Sequence, residues 1–213
     1  GEGEFSLSYK VVDTKTDQLM CKKVLKNISN NDKRYKALKN SLKEFETLYK
    51  INHPCVCKAI GINTIEPVTD TDIESESGEE ITTVALFFEF LEYSLFDCMK
   101  IMNNTLKTKI VVEIAHAMNS IHKHGFIHRD LKIENIRLND IFEAKIIDFG
   151  LVRIHECLFD EYSFLEESMT RCVGTLDYMS PEMLNEQEYD YKTDVYSFGV
   201  LLHYLLGGLL PKK

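Results

Sequence analysis

The chain has 213 residues, enough for one large domain or two small lobes that bury roughly 70% of the unfolded surface, and its 44% hydrophobic and 28% charged residues exclude a disordered or fibrous protein. The formal net charge is -9, but seven acids fall between Glu66 and Glu80, so the rest of the chain carries only -2 and a global field toward basic partners is not expected. The most apolar segment, Val195 to Leu210, is interrupted by Tyr196, Ser197, His203 and Tyr204, and the amino end begins Gly1-Glu2-Gly3-Glu4, so neither a membrane span nor a secretory signal is read and a cytoplasmic location is expected.

In chain order, Phe5–Val12, Gln18–Leu25, Cys57–Asn63 and Ile81–Phe90 read as short strands. Between the second and third, Leu38, Leu42, Phe45, Leu48 and Ile51 recur at spacings of three and four, which predicts a helix over Tyr35–Ile51. Residues 66–80 have too little apolar content to order themselves and read as an acidic insertion between two strands. After Tyr93 the pattern turns helical: Ile110, Ile114, Met118 and Ile121 form a buried stripe that Gly125 stops. Ile133–Leu138 and Phe142–Ile147 are short enough for a strand pair, and Val195–Leu206, apolar nearly all round, predicts a helix inside the core.

The six cysteines include no C-x-x-C pair, which suits reduced thiols. His116, His122, His124 and His128 crowd together, yet no cysteine or carboxylate stands beside them at zinc-ligand spacing, so a helix end is their expected home. Nine Lys or Arg in residues 22–50 read as the wet face of a helix, and no nucleic-acid partner is expected.

The chemistry concentrates in His128-Arg129-Asp130-Leu131-Lys132-Ile133-Glu134-Asn135, followed after one strand pair by Asp148-Phe149-Gly150. Two acids and an amide at this spacing suit phosphoryl transfer: one acid accepts a hydroxyl proton, while the other acid and the Asn hold a divalent cation with hard oxygen ligands. Together with Ser180-Pro181-Glu182 and Asp194-Val195-Tyr196-Ser197-Phe198-Gly199, in this order, the chain resembles the eukaryotic protein kinase family, serine/threonine type.

The resemblance implies a bilobal α+β fold, with a β-rich lobe over 1–91 and a mainly helical lobe over 92–213. It implies ATP and Mg²⁺ as cofactors and protein substrates as partners. By the same pattern Asp130 is the catalytic base, Lys132 steadies the transferred phosphoryl group, and Asn135 and Asp148 bind the metal. Gly1 and Gly3 belong to the loop over the phosphates. Met20-Cys21-Lys22-Lys23-Val24 is similar to the strand that carries the phosphate-holding lysine, with Lys22 as that lysine, Lys23 on the opposite face, and Glu44 as the helix partner. Phe88 is the gatekeeper, and the backbone of Glu89 and Leu91 reads the adenine edge. Lys132 and Gly174-Thr175 match the serine/threonine branch, and Thr170, then Ser168, are the activation-segment phosphosites, with Arg129 placed to pair with the phosphate.

Three positions around the base depart from the family pattern: Ser8 in place of a valine, Met20 in place of an alanine, and Arg137 in place of an apolar residue. The resemblance also implies a domain truncated at both ends, without the helices that follow α-helical Val195–Leu206, and a regulatory partner would cover the surface they leave. A catalytically silent kinase-like module is the alternative that these departures favour. A small-molecule kinase shares the acid and Asn spacing but ordinarily lacks Lys132 and Ser180-Pro181-Glu182.

Overall fold

The structure is a computed structural model and describes residues 6–26, 31–65, 83–154 and 174–210. Four strands, β1 (Ser6–Val12), β2 (Leu19–Leu25), β3 (Ala59–Ile65) and β4 (Thr83–Glu89), form an antiparallel sheet in the order β1-β2-β4-β3. Helix α1 (Asn31–Lys50) lies between β2 and β3 in sequence and packs on the sheet through Phe45 and Leu48, Phe45 meeting Phe88 of β4 with ring centroids 6.0 Å apart. The predicted helix and four strands are therefore present, with bounds shifted by up to four residues. The acidic insertion lies outside the described residues.

The strands alternate faces, and the register fixes which residues share one. Lys23 stands between Ser8 and Leu86, and Cys21 between Lys10 and Phe88, on the face where Leu86 and Phe88 are buried. Lys22 stands between Tyr9 and Phe87, and Tyr9 is about half exposed at 49%.

Beyond the connecting Phe90-Leu91-Glu92, the chain is mainly helical. Strand β5 (Tyr93–Ser94) and the short α2 (Leu95–Cys98) lead to α3 (Asn104–Lys123), which starts on the Asn103 side chain, an acceptor for the Leu106 N–H at 2.9 Å. It buries Ile110, Ile114, Ala117, Met118 and Ile121 and ends before Gly125, at φ 76, where a side chain would strain the backbone. Strands β6 (Phe126–Ile127) and β9 (Arg153–Ile154) pair, as do β7 (Ile136–Leu138) and β8 (Ala144–Ile146). The predicted strand pair is thus real but shorter, because Ile133–Asn135 forms a 3-10 turn. Leu176–Tyr178 is a second such turn, followed by α4 (Pro181–Leu184) and α5 (Lys192–Leu205).

One apolar core runs through both parts, from Leu48 and Phe88 through Ile114 and Ile121 to Phe149 and Leu201. The segment after α1 is bonded directly to β8: Cys57 N–H donates to the Ile146 carbonyl at 2.9 Å and Ile146 N–H to the Cys55 carbonyl at 3.0 Å. Lys145 of β8 also reaches Glu89 at 2.9 Å, so sheet and helical part meet through bonds on both sides of the connection. No helix of the described residues is long and apolar enough to cross a membrane.

Gly125→Ala should lower the unfolding free energy by about 1 kcal/mol, the cost of a side chain in the left-handed region, read as a lower urea midpoint with an unchanged slope. An unchanged midpoint would show that the end of α3 relaxes at no cost.

Candidate active site

The site is built around one buried carboxylate that is not itself in the cleft. Asp194, in the first turn of α5 and 1% exposed, accepts the backbone N–H groups of His128 and Arg129, each at 2.9 Å, and lies 2.8 Å from His122 Nε2. Two consecutive amides aimed at one carboxylate force a sharp turn, and Arg129 takes φ 67 there, in a region that costs a non-glycine residue about 1 kcal/mol or more. Charge-assisted bonds to Asp194 offset that strain. Ser197 and Thr193 of the same helix hold the Tyr178 carbonyl and the Ser180 hydroxyl, each at 2.8 Å, so α5 positions the turn before α4 as well.

The turn presents Asp130, whose two carboxylate oxygens are both engaged. Oδ1 accepts the Thr175 N–H and hydroxyl, each at 2.9 Å. Oδ2 accepts Lys132 Nζ at 2.7 Å and Asn135 Nδ2 at 3.1 Å. Lys132 also donates to the Thr175 hydroxyl at 2.7 Å, which closes a small network of Asp130, Lys132 and Thr175. Gly174 lets Thr175 come this close: at φ 112, a Cβ there would sit 2.6 Å from the Arg129 carbonyl. Arg129 directs its own guanidinium to the Leu151 carbonyl at 2.6 Å and the Tyr189 hydroxyl at 3.0 Å. Thr170, Ser168, Gly1 and Gly3 lie outside the described residues.

Across the cleft, Lys23 Nζ bonds Glu44 Oε2 at 2.6 Å, with Glu44 buried at 5%. The expected pair of Lys22 with Glu44 is therefore corrected to Lys23 with Glu44. The reason is the two-residue period of β2, which turns Lys23 inward beside Leu86 and leaves Lys22 on the Tyr9 face. The same one-residue shift applies to the neighbouring Met20: Cys21 and Lys23 line the cleft, and Met20 and Lys22 do not. Burial alone would depress the Lys23 ammonium, but the Glu44 and Asp148 carboxylates outweigh it and hold its pKa above the ordinary value. Desolvation pushes Glu44 up, opposed by the Lys23 charge and by a bond from the Phe149 backbone. Burial also raises the thiols of Cys21 and Cys57, which stay protonated and are not nucleophiles.

Asp148 takes φ 63 and is exposed on the cleft, while Phe149 beside it is fully buried, edge-on to His128 with centroids 4.9 Å apart. A cleft of about 710 Å³ joins these groups, lined by Lys23, Glu44, Asp130, Asn135 and Asp148 among others. Glu89 and Leu91 border it as well. The Glu89 carboxylate takes the Lys58 N–H at 2.7 Å and Lys145, and the Leu91 carbonyl takes Arg137 Nη2 at 3.0 Å.

No group of three or more His, Cys, Asp or Glu side chains among the described residues could hold a metal by itself. Asn135 spends its amide N–H groups on Asp130, which leaves its carbonyl oxygen and the Asp148 carboxylate as hard donors bordering the cleft. Two protein oxygens, completed by phosphate oxygens and water, are the ligand set Mg²⁺ prefers.

This arrangement agrees with the comparisons to known proteins. The protein kinase domain model matches residues 1–213, and the chain belongs to the protein kinase domain family. It is similar to cysteine-rich receptor-like protein kinase 26 of Arabidopsis thaliana, 31% identical over 98% of this chain and 29% of that protein. It is also 31% identical to a probable serine/threonine-protein kinase of Dictyostelium discoideum, over 99% of this chain and 21% of that protein. Calmodulin-binding receptor-like cytoplasmic kinase 2 of Arabidopsis thaliana is likewise 31% identical, over 99% of this chain and 49% of its own length. The chain thus spans between about a fifth and a half of these relatives.

Asp194→Ala should cost about 3–5 kcal/mol of stability, the range for removing one member of a buried charged network, while Asp194→Asn, which keeps the shape, should cost less. Urea midpoints for the two variants test this. Equal and small losses would mean that the loop does not depend on Asp194.

Proposed function

We propose that the chain is the catalytic part of a protein serine/threonine kinase that moves the γ-phosphoryl group of ATP to hydroxyl groups of protein substrates, with lobes over 1–91 and 92–213. The observation that carries this reading is a single cleft with Lys23 paired to Glu44 on the sheet side and Asp130 bonded to Lys132, Thr175 and Asn135 on the helical side. Lys23 would hold the α and β phosphates, its position set by Glu44. Mg²⁺, when bound, would neutralise charge on the phosphate oxygens, with Asn135 and Asp148 as its protein ligands. The backbone of Glu89 and Leu91 would read the adenine edge. Asp130 would orient the substrate hydroxyl and accept its proton, and Lys132 would meet charge on the group in transit.

Thr175 supports the serine/threonine assignment, because its hydroxyl joins Asp130 and Lys132, the contact that the resemblance to the serine/threonine branch implies. Free thiols at Cys21, Cys55, Cys57 and Cys98 suit a reducing compartment and support a cytoplasmic location.

The test is transfer of labelled γ-phosphate from ATP to a general protein substrate. Asp130→Asn should lower the rate by about 10²- to 10⁴-fold, the usual worth of a positioned general base. Nucleotide bound without transfer, in the wild type and in Asp130→Asn alike, would identify a silent binding module instead. A second comparison separates the two lysines of β2. Lys23→Met should lower activity by about 10²- to 10³-fold, as loss of a phosphate-directed charge does, and Lys22→Met should leave it within about threefold. The reverse order would reject the Lys23 assignment.

A further inference from the structure

Arg137 is a charged group in the cleft that phosphoryl transfer leaves without a role. It sits on β7, between Ser94 and Lys145 in the register, half-buried, and lines the cleft together with Cys21. Its Nη2 donates to the Leu91 carbonyl at 3.0 Å and lies 3.4 Å from the Glu92 carbonyl. A guanidinium is a permanent cation with donors only, and bonds from charged donors are the stronger kind. The Leu91 oxygen therefore already accepts from a cationic partner.

That bond matters because the two purines offer different edges. Adenine presents the ring N1 acceptor beside an amino donor, whereas a 6-oxopurine presents the O6 acceptor beside an N1–H donor. A peptide unit that offers an N–H and a carbonyl side by side reads the second edge by pairing with O6 and N1–H together. At Leu91 one lone pair of that carbonyl already accepts from the Arg137 guanidinium, which stands beside the other. A purine N1–H aimed at the same oxygen would meet the N–H groups of a cation, donor against donor. Adenine needs the Leu91 N–H and the Glu89 carbonyl, neither of which Arg137 touches. An apolar side chain at 137 would leave the Leu91 carbonyl open to a purine N1–H with no cation beside it.

We propose that Arg137 is a base-selectivity residue, which by holding the Leu91 carbonyl bars 6-oxopurine nucleotides from the cleft and keeps it for adenine. The inference rests on the nucleotide-cleft reading above and adds to it the means of discrimination.

The experiment measures dissociation constants of ATP, GTP and inosine triphosphate, each with Mg²⁺, for the wild-type chain, Arg137→Leu and Arg137→Met, with thermal melting to confirm that each variant is folded. Inosine triphosphate carries O6 and N1–H without the 2-amino group, and so separates loss of the acceptor from simple crowding. In both variants the GTP-to-ATP ratio of dissociation constants should fall by about tenfold, the worth of one recovered hydrogen bond, and the ratio for inosine triphosphate should fall with it. Unchanged or higher ratios in a variant that still binds ATP would overturn the proposal and leave the cleft reading intact. A fall for GTP without one for inosine triphosphate would also overturn it, since crowding at the 2-amino group would then be the cause. If the wild type binds none of the three nucleotides, the cleft reading itself fails and the proposal falls with it.

Discussion

The site depends on a carboxylate that never meets the cleft. Asp194 lies at the start of a helix that is apolar nearly all round, and burying an ion there is costly unless donors surround it. Three donors do: two consecutive backbone amides of the loop and the His122 ring. The same bonds that satisfy Asp194 oblige the loop to turn at Arg129 and present Asp130 outward. Core and site are thus one electrostatic problem with one solution. The carboxylate of the core helix has its oxygens satisfied by donors, and the loop is held in a conformation that isolated residues would avoid.

A second constraint joins the sheet to the helical part. Glu44 receives Lys23 from β2 and a bond from the Phe149 backbone, so helix α1 touches both sides of the cleft through one side chain. Buried Glu44 would be unfavourable as an ion without Lys23, and Lys23 would be depressed without Glu44 and Asp148. Lys23 is what makes the buried Glu44 charge tolerable, whereas Asp148 supports the Lys23 charge and opposes that of Glu44. The position of α1 is therefore coupled to that of Lys23, and a displacement of the helix would leave buried charge uncompensated.

The helical part of the site was legible in the sequence because its residues are close in the chain. From His128 to Asn135 the spacing alone brings Asp130, Lys132 and Asn135 into contact, and the structure shows these contacts directly. Thr175 and Asp194 were legible only through family likeness, since 45 residues separate Thr175 from Asp130 and 65 separate Asp194 from Arg129. Where two adjacent lysines compete, spacing fails by one residue and the period of a strand turns that into the wrong face. A signal was present. Lys22 requires bulky Met20 at the small-residue position two places before it, whereas Lys23 places Cys21 there. The apparent departure at Met20 was the mark of the slipped register. Arg137 is different in kind: its replacement of an apolar residue was visible, but its partner, the Leu91 carbonyl, is a backbone atom 46 residues away that no side-chain pattern encodes.

The network around Asp130 bears on how such a site would accelerate transfer. Four donors from three residues engage its two oxygens, so the carboxylate is held in one orientation before any substrate arrives. A side chain gripped in this way is well suited to direct a hydroxyl and poorly suited to move toward it. Phosphoryl transfer through a loose transition state asks little of a base until late in the reaction, and most of the gain comes from alignment and from charge placed beforehand. Thr175 is the element that can report on the rest of the chain. It reaches Asp130 only while Gly174 passes within van der Waals limits of the Arg129 carbonyl, and Arg129 in turn holds Leu151 and Tyr189. Movement of Gly174 and Thr175 would withdraw two of the four donors at once, so the orientation of the acid is tied to the seating of this turn.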